Sequence, residues 1–226
     1  MFHKWSQGFG AIVLMLGCVA TADAGFLVSN STPGLFDASS GTRQVTVTGT
    51  EVGFEPTVTD IDVIINFAKA DGESFNPPFP NGTPFHNEIV FRLTSPGGTT
   101  VTLIAAGSFN TGSGIFDGVI RFDDAASSLV NVNPNTPQSG TFRPTGPGTL
   151  ADFNGQLTTG NWTLFIQDTV GADALRFRSF DLVVNGGPAV VSAVPAPAGL
   201  VLLLTGLGSL GLGRFARRRK TQPTAA

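Results

Sequence analysis

Tyrosine is absent from the 226 residues, cysteine occurs once, histidine twice, and charged side chains make up only 13%. Each scarcity excludes some chemistry. A lone cysteine, Cys18, makes no disulfide within the chain and builds no thiolate metal site. Two histidines, His3 and His86, fall short of the three protein ligands that catalytic zinc uses, and there is no His-Glu-x-x-His. The Gly-x-Ser-x-Gly elbow of serine hydrolases and the Gly-x-x-x-x-Gly-Lys-Ser/Thr phosphate loop are missing as well. Sparse charge with an acidic excess excludes the basic stripe of a nucleic-acid binder and the composition of a charged disordered chain. Phenylalanine and turn formers are what the chain has in quantity, with Phe 19, Gly 29 and Pro 15. Punctuation this dense leaves no room for long helices and points to short strands joined by turns.

Charge is partitioned along the chain. Between Gly25 and Ala193 lie 15 acidic and 7 basic residues, a net of −8, whereas the last thirteen residues carry +5 and no acid. An acidic body and a basic tail imply a boundary between them.

Both ends read as addresses. Lys4, the apolar run Phe9 to Ala20 and the small-x-small pattern Ala22-Asp23-Ala24 predict a signal peptide over 1–24, cleaved by signal peptidase between Ala24 and Gly25. Cys18 falls inside it, so the mature chain would hold no thiol. Met15-Leu16-Gly17-Cys18 also resembles a bacterial lipoprotein box, which makes lipidation at Cys18 the alternative. At the other end Val194-Pro195-Ala196-Pro197 stops any strand, and residues 198–213 are apolar or small without a charge. Arg214, Arg217, Arg218, Arg219 and Lys220 follow directly. By the positive-inside rule this basic anchor stays cytoplasmic and the acidic body is exported. The span reaches about 24 Å as a helix, short of the roughly 30 Å hydrocarbon core, which suits a sorting signal held briefly in the membrane.

The order of Pro-rich motif, short span and Arg cluster resembles the PEP-CTERM tail of Gram-negative exported proteins in its VPxPA variant, with Ala196 where that family usually has Glu. The resemblance implies an exosortase-type processing enzyme, an inner-membrane intermediate, and release to the cell surface or extracellular matrix. A plain C-terminal membrane anchor is the alternative.

The middle, 25–193, reads as an all-β domain. Period-2 alternation recurs in Gln44 to Thr48, Asp60 to Phe67 and Glu88 to Leu93. Ser95-Pro96-Gly97-Gly98 predicts a type II hairpin turn into a strand over Thr99 to Ile104. Further strands are expected at Gly118 to Phe122, Asn161 to Gln167 and Leu175 to Val184, and the spacing suggests a sandwich or jelly roll. Ala70 to Pro84 and Asn131 to Gly148 read as long loops and are the first candidates for a contact surface.

His86, Leu93-Thr94-Ser95-Pro96-Gly97-Gly98-Thr99, Phe122-Asp123-Asp124-Ala125, Leu150 to Gly155 and Gly160-Asn161-Trp162-Thr163-Leu164-Phe165-Ile166-Gln167-Asp168 together resemble the P domain, also called P/Homo B. Ala174 and Phe180 stand where that family commonly has Gly and Trp, and Ala70 to Pro84 looks like an insertion. The resemblance implies an eight-stranded jelly-roll sandwich, found after the catalytic domain of kexin-like and other subtilisin-type proteases and on bacterial surface proteins. It makes His86 a structural histidine, and Trp162 sits in the motif as a core residue.

Calcium is the metal the composition permits, since Asp, Glu and loop carbonyls supply hard oxygen ligands. Asp123 and Asp124 precede a loop, while Asp168 and Asp173 flank the turn Thr169 to Ala172, which makes these four the calcium candidates. The alternative is that they cap turns and keep an acidic protein soluble. The sequence thus leads to an exported, non-catalytic β-sandwich serving structure, adhesion or partner binding, with no nucleic-acid partner. An accessory or relic module of a serine-type endopeptidase is the second reading, and an exopolysaccharide-binding module the third.

Overall fold

A computed structural model describes residues 25–112 and 114–186. The leader over 1–24, the sorting motif and the span and basic tail after it lie outside the described residues. Ten strands are present among the described residues: β1 (Phe26–Asn30), β2 (Gly34–Phe36), β3 (Ser39–Val47), β4 (Ile61–Lys69), β5 (Ile89–Thr94), β6 (Thr100–Ile104), β7 (Phe116–Phe122), β8 (Gly140–Phe142), β9 (Gly160–Asp168) and β10 (Leu175–Val184). Short 3-10 turns over His86–Glu88 and Leu150–Phe153 interrupt them. The chain is therefore an all-β sandwich of two sheets. One has the order β1-β10-β4-β7-β8, with β2 also on β10, and the other β3-β9-β5-β6.

Period-2 alternation sets the two faces of each strand. On β9 the alternate positions Trp162, Leu164, Ile166 and Asp168 are buried. On β4, at the centre of its sheet, Ile61, Val63, Ile65 and Phe67 form one face of the core. Phenylalanine does most of the filling. Phe67 lies 5.1 Å from Phe91 and 4.6 Å from Phe116, ring centre to ring centre, while Phe153 meets Trp162 edge-on at 5.1 Å. A ring without a hydroxyl needs no hydrogen-bond partner in such a core, and the buried Trp162 satisfies its Nε1–H on the Thr158 carbonyl at 2.9 Å.

Three expectations are corrected in detail. The sandwich has more than eight strands, because the short pieces β1, β2 and β8 carry too few residues to show alternation. The stretch 131–148 is not all loop, since β8 pairs in parallel with β7 through Ile120 to Phe122. The hairpin turn also differs from a type II turn. Gly97 keeps a negative φ and Gly98 takes the left-handed one (+89°), while Gly98 N–H bonds Ser95 O and Ser95 N–H bonds Thr99 O, each at 2.9 Å. That is a type I turn closed by a glycine bulge, whose twist matches the flanking strands better than a two-residue type II connection would.

Candidate functional site

Strand parity builds an unusual cluster at one end of the sandwich. Lys69 ends β4 on the same face as Phe67 and Ile65, so its side chain enters the core. Asp168 ends β9 on the same face as Ile166 and Leu164, and points at it from the opposite sheet. Lys69 Nζ lies 2.7 Å from Asp168 Oδ2, 3.1 Å from Glu88 Oε2 and 3.1 Å from Asp173 Oδ2, and it donates to the Asp173 carbonyl as well. The side chains of Lys69 and Asp168 are 0% exposed and those of Glu88 and Asp173 nearly so.

Electrostatics follow from this geometry. Burial would push the Lys69 ammonium down, but the bonds and charges of Asp168 and Asp173 outweigh it and hold its pKa above the ordinary value. Burial pushes Glu88 up to about 7 against the pull of Lys69, and raises Asp168 for the same reason. Three carboxylates share one ammonium, and burial together with the like charges nearby holds Glu88 and Asp168 above the ordinary carboxylate range.

The four aspartates read from the sequence as calcium candidates divide into two places. Asp168 and Asp173 converge, and the cation between them is the chain's own Lys69. Asp123 and Asp124 lie near the other end of β4, seven residues away or about 23 Å at strand rise, beside Asp62. There Asp123 Oδ1 accepts from Ala125 N–H at 2.7 Å, and Asp124 Oδ2 accepts from Ala151 N–H at 2.8 Å. These are the bonds of turn-capping acids. Among the described residues no group of three or more His, Cys, Asp or Glu side chains is disposed to hold a metal.

Asp62 is a second buried acid that sequence reading passed over. It lies diagonally across from Arg121 on the outer face of the sheet, and the two form an ion pair. Burial pushes Asp62 up to about 6 despite Arg121. A folded-state pKa above the unfolded one means that the native state holds its proton more tightly, so the stability this gives is lost as pH rises from about 4 to 6. The Asp62→Asn variant is therefore expected to gain about 2–3 kcal/mol on the wild type between pH 4 and pH 7, read from urea unfolding at both values. A gap independent of pH would show that the carboxylate is not desolvated in the fold.

Above the Lys69 cluster three loops meet. The 70–85 loop is held from below by Arg176, which is 0% exposed and whose guanidinium bonds the carbonyls of Ala70, Asp71, Gly72, Ser74 and Ala174. Phe79 closes over it, its ring centre 4.9 Å from Cζ. Burial lowers the Arg176 pKa, with Asp173 opposing. His86, at the foot of the same loop, is buried and bonds the Gly114 carbonyl through Nε2 at 2.9 Å, a structural role. Asn110 bonds Asn135 at 2.9 Å and Asn131 bonds the Ser108 carbonyl at 3.1 Å, which ties the loop after β6 to the 131–137 segment. Phe85, Ile115 and Val132 are 43%, 40% and 55% exposed on these three loops. The loop after β6 thus bridges the two long loops singled out in the sequence, through the His86–Gly114 bond on one side and the Asn110–Asn135 and Asn131–Ser108 bonds on the other, and each of the three segments carries an exposed apolar side chain.

The sequence matches no protein-family model and no curated protein. Among solved structures it is similar to a chain in the crystal structure of the Aeromonas sobria serine protease in complex with the chaperone ORF2, at a TM-score of 0.33 and 13% identity. The match covers 70% of this chain and spans 26% of that one.

Lys69, Glu88, Asp62, Arg121 and Arg176 were missed as site residues. Parity was the available signal, since Lys69 falls in step with Ile61, Val63, Ile65 and Phe67, and a charge in step with a core face is either buried and paired or at the strand's end.

Proposed function

We propose that the protein is exported and non-catalytic, a P-domain-like jelly roll delivered to the cell surface or matrix by a PEP-CTERM-like tail, where it binds a partner through the loop end. The observation that carries this reading is the loop end itself. Buried Arg176 and the Asn110–Asn135 and Asn131–Ser108 bonds hold three loops in place, and Phe85, Ile115 and Val132 stand exposed on them. Rigidly held loops with exposed apolar side chains bind with little ordering cost. A surface protein or exopolysaccharide is the partner class that an exported, acidic body would meet.

Cell fractionation with terminal mass analysis tests delivery. A chain beginning at Gly25 and ending near Pro197 in the outer or extracellular fraction is expected, and one retaining Arg217 to Ala226 in the inner membrane would overturn release. The loop end is tested by the triple variant Phe85→Ser, Ile115→Ser, Val132→Ser. It should lose retention on the cell surface with an unchanged urea midpoint, and undiminished retention would move the contact surface elsewhere.

The second reading, an accessory module of a serine endopeptidase, rests on the motif from Gly160 to Asp168 and its companions. Casein hydrolysis by the purified chain, abolished by a serine-protease inhibitor, would favour it over the first.

A further inference from the structure

Beneath the loop end, the Lys69 cluster brings together the reactants of a condensation. We propose that Lys69 and Asp168 form an intramolecular isopeptide bond, Nζ to Cγ, which joins the two sheets covalently, with Glu88 as the proton carrier.

Position comes first. The amine belongs to β4 of one sheet and the carboxyl to β9 of the other, and both side chains are fully buried with Nζ 2.7 Å from Oδ2. A fixed pair at this separation reacts with the high effective concentration of an intramolecular process. The surroundings are dry and aromatic. Phe67 precedes Lys69 by two residues on the same face, Phe116 pairs with Lys69 across β4 and β7, and Phe91 packs on Phe67.

The carboxyl is poorly served as an ion. Leu175 N–H bonds Oδ2 at 3.1 Å, whereas Oδ1 is buried without a hydrogen bond of ordinary geometry. A buried carboxylate with one oxygen unbonded is destabilised relative to a neutral amide in the same place. Asp173 resembles it, with Oδ1 unbonded and Oδ2 accepting from Phe85 N–H, and is the weaker candidate because that Oδ2 is farther from Nζ at 3.1 Å.

Protons balance within the cluster. The carboxylates hold Lys69 as an ammonium, so the nucleophile is uncovered by transfer to a neighbour rather than to solvent. Glu88 Oε2, 3.1 Å from Nζ, takes one proton. The freed lone pair attacks Cγ of Asp168, and Leu175 N–H is the donor available to the oxygen that remains. The second proton leaving nitrogen and the one returned by Glu88 depart on the other carboxyl oxygen as water. One C–N bond forms, one C–O bond breaks, and no oxidant or reductant is needed. Glu88 suits the task because burial brings it to about 7, near the pH at which it must both accept and release a proton. Afterwards Asp173 keeps the Phe85 N–H and the nearby charge of Arg176.

Peptide mapping of the full chain decides the matter. Trypsin does not cut between Arg143 and Pro144, so the relevant peptides are 44–92, normally cleaved after Lys69, and 122–176. The expected product is a single species joining them, uncut at Lys69 and lighter than their sum by one water, with fragmentation placing the link on Asp168. Glu88→Gln, which keeps the size and neutral hydrogen bonding of a protonated Glu88, is expected to fold and leave the peptides unlinked. Lys69→Arg should also be unlinked. Cleavage at Lys69 with two separate peptides in the wild type overturns the proposal, a link on Asp173 overturns the assignment of the acceptor, and an undiminished link in Glu88→Gln overturns the proton carrier.

Discussion

Relative to Lys69→Arg, which keeps the cation and is likewise unlinked, Lys69→Met is expected to destabilise the fold by about 3–5 kcal/mol at pH 8, the usual cost of leaving buried charge without its partner. Methionine fills much the same volume, so the loss comes from charge rather than from a cavity. What remains is Asp168, Glu88 and Asp173 facing one another with no cation among them. Without Lys69 to pull them down, Glu88 and Asp168 rise further than burial already carries them. A raised acid gives stability that is present below its unfolded pKa and lost as pH rises through the folded one. Loss of stability should therefore be steep from about pH 4.5 upward and extend beyond 7, and the variant should recover most of the deficit at pH 5. Urea unfolding at pH 5 and pH 8, followed through buried Trp162, reads both numbers. Adding Glu88→Gln and Asp168→Asn to Lys69→Met should restore part of the stability at pH 8 by making the site neutral. A deficit equal at both pH values would mean that the carboxylates are hydrated in the native state.

The same cluster marks where the sequence stops being legible. Long strands announce themselves: β4, β5 and β9 follow the alternation of Ile, Val, Phe and Leu, β6 is a short apolar run, and β10 begins and ends where its apolar pattern does although a bulge between Phe177 and Ser179 shifts its parity. Three-residue strands such as β2 and β8 hold no period to read, and exist because a neighbour offers them a ladder. Acidic residues were legible as a set but not as a geometry. Asp168 and Asp173 are drawn together by the turn between β9 and β10, as their spacing suggested, yet the cation they meet comes from about a hundred residues away in sequence. Asp123 and Asp124, adjacent in the chain, turn their side chains to different backbone amides. Linear spacing specifies neither which sheet a partner strand joins nor which face its last residue takes, and both are settled by pairing across the core.

Arg176 offers the other large effect. It stands on the outer face of β10 opposite Ala68, covered by the 70–85 loop, and five backbone carbonyls rather than a carboxylate surround its guanidinium. Hydrogen bonds from a charged donor contribute more than neutral ones, and removing the donor strands acceptors that the fold has already taken out of water. Arg176→Met is expected to lower stability by about 3–4 kcal/mol and to release the loop, which has few other bonds to the body of the sandwich. Limited chymotrypsin digestion reads the second effect directly, because Phe79, which packs on the Arg176 side chain, precedes Pro80 and is not cut, while Phe75 on the same loop offers a cleavable bond to Asn76. Cleavage there should quicken at least tenfold while core phenylalanines such as Phe67 and Phe91 stay protected. Arg176→Lys separates charge from shape. A lysine keeps the cation but has three donors on a single atom and cannot span Ala70, Gly72 and Ser74 together, so it should behave almost as Met does. Full protection in Arg176→Lys would show that the positive charge alone, and not the planar fork, holds the loop that leads to Phe85.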